Sequence, residues 1–228
     1  MTEEQTPPPA PPRADGREAL RVFAPHLALA GLIVVLGVGA VLYVMGGPRK
    51  EPAAAACAGS AALAAKTAPF SRGEVAALAP SKTPKPMPDL AFEGPDGRPM
   101  KLSDLRGRIV LLNLWATWCA PCRKEMPALD RLQAALGGKD FEVVALSLDT
   151  RNLDRRKPFL DSVGVKSLAF YADPKADSLQ ILKGAAKVVG LPTTILIDRR
   201  GCDLGVMAGP AEWDSPDAQA LVKAAIDG

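Results

Sequence analysis

The chain has 228 residues, of which 48% are hydrophobic and 23% charged, a composition that excludes an intrinsically disordered protein and predicts at least one folded domain. Basic residues number 28 and acidic residues 25, with no block of five like charges, so nucleic acid is not a predicted partner. The single histidine, His26, lies beside a long apolar run, which excludes serine–histidine, cysteine–histidine and histidine–zinc chemistry from the domain that follows.

The N-terminal segment predicts a membrane anchor. Residues 1–21 are rich in proline and charge and are predicted to form a disordered tail. From Leu27 to Met45 no residue is charged, and a helix of this length spans about 28 Å, close to the thickness of a bilayer core. We therefore predict a single transmembrane helix over residues 22–46.

Two alternatives to an uncleaved anchor stay open. A buried core helix would usually show a polar stripe, and a cleaved signal peptide would place small residues directly after the apolar run. Here Arg49, Lys50 and Glu51 intervene before the alanines at 53–56. Three arginines before the run favour a cytoplasmic N-terminus, although two basic residues follow it closely.

The remainder of the chain divides into a linker and one α/β domain. Residues 47–86 are rich in alanine, proline and lysine, which predicts a linker. Residues 87–228 alternate between strand and helix patterns, as in an α/β domain. Its first element is a predicted β-hairpin, in which Leu90–Phe92 and Pro99–Leu102 flank the turn Gly94–Gly97.

Hydrophobic periodicity predicts the elements after the hairpin. A nearly continuous apolar run at Ile109–Trp115 is typical of a central strand covered on both faces, and Phe141–Leu148 is predicted to form a second central strand. Shorter strands are predicted at Leu168–Tyr171, Thr193–Asp198 and Leu204–Ala208, and helices at Pro121–Leu136, within Asn152–Val163, at Ala176–Ala186 and at Pro216–Ile226.

Two cysteines stand at a predicted strand-to-helix junction. Backbone N–H groups and the helix dipole stabilise an anion there, so the thiol pKa of Cys119 is expected to be lowered, and Pro121 fits the first helical turn. Cys122 lies within one turn of Cys119, so the pair predicts dithiol–disulfide exchange, in which Cys119 attacks and Cys122 resolves. Half a zinc site or two structural cysteines are the alternatives, but no second close pair completes a zinc site, and no metal is predicted.

Four motifs stand out in the domain: Pro88–Leu90 (PDL), Leu102–Gly107 (LSDLRG), Asn113–Pro127 (NLWATWCAPCRKEMP) and Gly190–Asp198 (GLPTTILID). Together they resemble the thioredoxin superfamily, and within it the TlpA-like branch of membrane-anchored bacterial thiol:disulfide interchange proteins. The resemblance implies a thioredoxin-like α/β fold, extended here by the N-terminal β-hairpin, and an exchange reaction that needs no cofactor.

The resemblance also implies roles for residues near the dithiol. Pro192 would be a cis-proline opposite the cysteines, with the Leu191 backbone pairing with an incoming peptide; an ordinary turn proline is the alternative. Glu125, on the same helix face as Cys122, would accept the proton of that thiol if it is buried, or would be a solvated surface glutamate. The other residues predicted to contact substrate are Trp118, Ala120 and Pro121.

The two remaining cysteines, Cys57 and Cys202, are expected to pair if the domain lies in an oxidising compartment. Their disulfide would fasten the N-terminal extension to the domain. A free Cys57 or an unpartnered Cys202 is the alternative.

The resemblance implies a reductant of cysteine pairs in client proteins, held on the periplasmic face of the bacterial inner membrane and supplied with electrons by a membrane thiol transporter. The expected clients serve the copper centres of cytochrome oxidase, with apocytochrome c in cytochrome c maturation as the nearest alternative. An oxidase that inserts disulfides and a non-catalytic binding module are the alternatives from other classes. The protein is expected to be a monomer.

Overall fold

The computed structural model describes residues 56–228. Within this range the helices are α1 (Ala58–Thr67), α2 (Ala120–Leu136), α3 (Arg156–Ser162), α4 (Asp177–Gly184) and α5 (Pro216–Ile226). The strands are β1 (Ala79–Pro80), β2 (Ala91–Glu93), β3 (Pro99–Lys101), β4 (Ile109–Trp115), β5 (Phe141–Ser147), β6 (Tyr171–Ala172), β7 (Thr193–Ile197) and β8 (Asp203–Ala208). Short 3-10 helices occupy Ala68–Phe70, Gly73–Val75, Leu102–Leu105 and Leu153–Arg155.

The predicted tail and transmembrane anchor, together with the first residues of the predicted linker, lie outside the described residues. Among the helices of residues 56–228, none combines the length and the apolar character needed to cross a membrane.

All eight strands form one mixed sheet in the order β1-β8-β7-β4-β5-β6-β2-β3. β4 and β5 are parallel, as are β5 and β6, whereas β7 runs antiparallel to β4. The apolar runs of β4 and β5 are buried at every position and lie at the centre of the sheet. The hairpin of β2 and β3 extends one edge, so the predicted thioredoxin-like α/β fold with an N-terminal hairpin is confirmed.

Side chains of β4 alternate between two apolar layers, one on each face of the sheet. Leu111 and Trp115 belong to the layer that includes residues of α1, α2, α3 and α5. Leu112 and Leu114 belong to the layer that includes the hairpin and α4. A helix on either face therefore shields the strand from which the dithiol loop departs.

One predicted strand is largely a loop. The sequence predicts a strand at Leu168–Tyr171, but β6 begins only at Tyr171. The carboxylate of Asp130, on α2, accepts hydrogen bonds from the backbone N–H groups of residues 166–168, the last of which begins the predicted strand. Those donors are therefore not available for a strand ladder.

The linker prediction for residues 47–86 does not hold over residues 58–80, which form α1, two 3-10 helices and β1. α1 packs against α5 and β8, and β1 pairs with the edge of β8. Alanine is the strongest helix former, so this composition suits a helix once tertiary contacts are supplied. Gly205 permits the close approach of the segment, since a Cβ there would lie 2.5 Å from the Leu78 side chain.

Asp203 holds the chain between β1 and the hairpin. Its carboxylate accepts hydrogen bonds from the Ser81 hydroxyl and, at 2.6 Å, from the Lys85 N–H. It also forms an ion pair with Lys187, with Nζ and Oδ2 2.6 Å apart and both side chains largely buried. The N-terminal extension is therefore part of the domain.

Cys57 and Cys202 form a disulfide in the structure, with Cα atoms 5.9 Å apart and a sequence separation of 145. Both residues are buried. Nearby, the Ser60 hydroxyl donates a buried hydrogen bond to Asp198. The bond fastens the start of α1 to the connection between β7 and β8.

We predict that removing this disulfide destabilises the domain. Because it closes a long loop, the Cys57→Ala/Cys202→Ala variant should lose about 2 to 5 kcal/mol of unfolding free energy in denaturant titrations. The single Cys57→Ala variant is the control, since it breaks the same bond and should lose about as much. A single variant as stable as the wild type would show that the cross-link contributes nothing.

Candidate active site

Cys119 and Cys122 lie where β4 meets α2. β4 ends at Trp115, and after a short turn Cys119 is the N-cap of α2. The two cysteines form a disulfide, with Cα atoms 5.3 Å apart. Sγ of Cys119 accepts a hydrogen bond from the backbone N–H of Cys122, at 3.3 Å. The same N–H and the positive end of the helix dipole stabilise negative charge on this sulfur after reduction.

The two cysteines differ in access to solvent. Cys119 is 5% exposed, whereas Cys122 is fully buried. Trp118 is 70% exposed beside them, and Ala120 and Pro121 are also on the surface. An incoming disulfide can therefore reach only the sulfur of Cys119, beside which three of the residues predicted to contact substrate are exposed.

The register of the sheet brings Pro192 to the edge where the dithiol loop begins. β7 starts at Thr193, which pairs with Leu114 near the end of β4. The Leu191–Pro192 peptide bond is cis. The Pro192 carbonyl accepts from the Gly209 N–H at 2.9 Å, whereas the Leu191 N–H and carbonyl have no hydrogen bond to another described residue. The Leu191 backbone is therefore available to an extended peptide.

Glu125 is buried one turn beyond Cys122 on α2, with 2% of its surface exposed, and so is not a solvated surface glutamate. Its Oε1 accepts a hydrogen bond from Nδ2 of Asn113 at 2.8 Å. Its Oε2 accepts from Nε1 of Trp213 at 3.1 Å and from the Ala211 N–H at 3.3 Å. Three donors therefore hold the carboxyl group in one orientation inside the domain.

Burial raises the pKa of Glu125 from 4.5 to about 7, because removal from water disfavours the carboxylate more than the hydrogen bonds from Asn113, Trp213 and Ala211 favour it. Both protonation states are populated near neutral pH. A group of this kind can accept or return a proton at little cost in free energy.

The partners of Glu125 were not found by sequence reasoning. A hydrogen-bonding role for Asn113 could have been predicted. It is the one polar residue in the otherwise hydrophobic sequence of β4, and a buried polar side chain needs hydrogen-bond partners. Its Nδ2 also donates to the hydroxyl of Thr194 at 3.0 Å, while its Oδ1 is buried without a hydrogen bond. Trp213 carries no local signal, since it lies 88 residues from Glu125 in sequence.

Asp149 holds the turn that leads to Cys119, and sequence reasoning missed it as well. Its buried carboxylate accepts from the Thr117 N–H at 3.0 Å and the Thr117 hydroxyl at 2.6 Å. It also accepts from the Ser147 hydroxyl at 3.0 Å. Its position in the sequence could have indicated a role, because Asp149 is an acidic residue at the carboxyl end of a central strand, where α/β proteins place functional groups.

The described part of the chain contains no group of three or more histidine, cysteine, aspartate or glutamate side chains that could hold a metal ion. What it brings together is a disulfide with one accessible sulfur, an anion-stabilising helix terminus and a buried carboxyl group that titrates near neutral pH. These groups can perform thiol–disulfide exchange with their own atoms.

Comparison with known proteins places this site in context. The sequence model of the AhpC/TSA family matches residues 84–202, just over half of the chain. The thiol-disulfide oxidoreductase ResA of Bacillus anthracis is 36% identical over 118 residues, which are 51% of this chain and 64% of ResA. The thioredoxin-like protein YneN of Bacillus subtilis is 33% identical over 116 residues, 50% of this chain and 64% of YneN. The matches span slightly less than two thirds of these relatives.

Solved structures match a larger share of their own length. A Chlorobium tepidum protein assigned as a candidate thiol:disulfide interchange protein DsbE is 38% identical, with a TM-score of 0.52 over 62% of this chain and 95% of its own. A second Chlorobium tepidum structure, of a thiol:disulfide interchange protein of the thioredoxin family, is 28% identical, with a TM-score of 0.51 over 63% of this chain and 97% of its own.

Proposed function

Since the chain belongs to the AhpC/TSA family, we propose that it is a thiol:disulfide oxidoreductase and that it reduces disulfides in client proteins. One observation carries the proposal: the Cys119–Cys122 disulfide caps α2, with the sulfur of Cys119 accepting a hydrogen bond from the first helical turn. ResA is named a thiol-disulfide oxidoreductase and the second Chlorobium tepidum structure a thiol:disulfide interchange protein, which supports the same reaction.

The reaction is a balanced two-electron exchange. The Cys119 thiolate attacks one sulfur of the client disulfide, forms a mixed disulfide and releases the first client sulfur as a thiolate. Cys122 passes its proton to Glu125 and attacks the sulfur of Cys119, which releases the second client sulfur. Glu125 returns the Cys122 proton to the second client thiolate, the first client thiolate takes a proton from water, and the Cys119–Cys122 disulfide remains until an external dithiol reduces it.

The surroundings of Cys122 support the direction of electron flow. Strong oxidants of this chemistry depend on a stabilised reduced form. Here a buried carboxyl group one turn from Cys122 is partly ionised at neutral pH and disfavours a second negative charge nearby. This carboxyl group opposes the stabilisation that the helix terminus gives to the Cys119 thiolate, so the reduced form gains less stability than from the helix terminus alone, which supports a reductant.

The finer assignment rests on the motifs that resemble the TlpA-like branch, and TlpA itself. We propose that residues 22–46 anchor the protein in the bacterial inner membrane and that the domain lies in the periplasm as a monomer. Its clients would carry cysteine pairs needed for the copper centres of cytochrome oxidase, and a membrane thiol transporter would supply electrons. Apocytochrome c is the alternative client, and a trapped client of either kind would distinguish the two.

The reduction potential of the Cys119–Cys122 pair tests the direction of exchange. We expect the full-length protein, equilibrated with defined thiol buffers and quenched with an alkylating reagent, to give a potential below about −200 mV. The Cys119→Ser/Cys122→Ser variant is the control, because it subtracts any contribution of Cys57 and Cys202. A value near about −120 mV, the range of strong oxidants, would reverse the proposed direction.

A further inference from the structure

A cleft of about 470 Å³ opens beside the dithiol on the side of Trp118. One wall is formed by Trp118 and by Arg123 from the first turn of α2. The connection between β5 and α3 also lines the cleft, through Arg151 and Arg155. Phe159, from α3, lines the same cleft. The cleft therefore begins at the residue that precedes the attacking cysteine.

The charge of the cleft is strongly positive. Arg123, Arg151 and Arg155 are all exposed, and none forms a salt bridge with another described residue. The only acid in the lining, Asp149, is buried and accepts hydrogen bonds from Thr117 and Ser147. Three guanidinium groups that line the cleft are thus left without a carboxylate partner among the described residues.

The position of Arg123 is supported by aromatic packing. Its guanidinium lies over the ring of Phe159, 5.2 Å from the ring centre, and that ring packs against Trp115 at 5.7 Å. Trp118 adds an exposed apolar surface to the same cleft. A basic cleft with aromatic walls matches a short peptide segment that carries both carboxylates and apolar groups.

We propose that this arginine cleft binds an acidic segment of the client polypeptide, within a few residues of the client cysteine that Cys119 attacks. The inference rests on the proposed function and adds a preference among clients. Guanidinium groups bind carboxylates through paired hydrogen bonds, and exposed charges at the rim of a contact raise the association rate. The cleft thereby selects clients whose reactive cysteine is flanked by aspartate or glutamate.

The test uses two disulfide-containing peptides that differ only in their flanks, one with two glutamates and one with two glutamines. The second-order rate constant for their reduction by the reduced full-length protein is measured at low ionic strength. We expect the wild type to reduce the acidic peptide about five- to tenfold faster than the neutral one. The ratio should approach one in the Arg151→Gln/Arg155→Gln variant and in wild type at about 0.5 M salt.

The matched control is Lys82→Gln/Lys175→Gln, which removes two exposed charges that do not line the cleft. It should keep the wild-type ratio. An unchanged ratio in the arginine variant, or an equal loss in the lysine variant, would overturn the proposal. The wild type could also show no preference for the acidic peptide and be slowed equally by phosphate with both peptides. That result would mean that the cleft binds a small anion, and it would overturn the proposal as well. Failure of the wild type to reduce either peptide would instead overturn the proposed function itself.

Discussion

Replacing Cys119 with serine should lower the rate of client reduction by at least about 10³-fold, because no other described sulfur is both accessible and placed at a helix terminus. Cys122→Ser should have a different effect. That variant still attacks the client but cannot resolve the product, so mixed disulfides should accumulate. Non-reducing gels of cell extracts and the rate of peptide reduction measure the two outcomes.

Unfolding midpoints provide the control for these variants, since a serine that merely unfolded the domain would also abolish the reaction. A Cys119→Ser protein that is folded and still turns over would contradict the exchange mechanism. So would a folded Cys122→Ser protein that captures no partner, because the buried sulfur would then have no part in release.

Glu125→Gln should lower the rate of client release at pH 8 by about 10²-fold and abolish its inflection near pH 7. The reason is that only the ionised carboxylate accepts the Cys122 proton, and burial raises the pKa of Glu125 to about 7. Single-turnover release of a peptide from the Cys119 mixed disulfide, followed between pH 5.5 and 9, measures this step. Glu74→Gln makes the same chemical change at an exposed carboxyl group and should keep the inflection.

The same pKa predicts the sign of a stability change in the oxidised protein. The unfolded chain loses the Glu125 proton near pH 4.5, whereas the folded chain keeps it until about pH 7. The free energy of unfolding should therefore fall between these pH values, by about 3 kcal/mol from this group alone. The Glu125→Gln variant has no carboxyl group at this position, so its free energy of unfolding should not show this decrease. In urea titrations its stability relative to wild type should therefore rise from pH 4 to pH 8. A constant difference across that range would show that burial does not perturb this carboxyl group.

Strong local patterns account for what could be predicted from sequence. β4 and α5 begin and end where their periodicity places them, since a continuous apolar run and a stretch of helical spacing each admit few alternatives. The redox role of Cys119 and Cys122 could also be predicted from a local pattern. The two cysteines and the strand-to-helix junction that would stabilise a thiolate lie within a few consecutive residues.

Contacts between distant residues account for what could not be predicted. α1 is an alanine-rich segment with little periodicity, and it is held by Cys202 and by packing on α5. The burial of Glu125 depends on Trp213 and Ala211, which no local pattern connects to α2. Asn113 was visible as a polar residue in an apolar strand, but only the fold shows which group it contacts.

The disulfide at Cys57 also sets how much chain connects the domain to the proposed anchor. A linker of 47–86 would have contained 40 residues, which at full extension reach roughly 140 Å. Because the domain begins at Cys57, only residues 47–56 separate it from an anchor ending at residue 46, and ten residues reach at most roughly 35 Å. The chain between the domain and the proposed anchor is therefore about a quarter of the length that composition alone predicts.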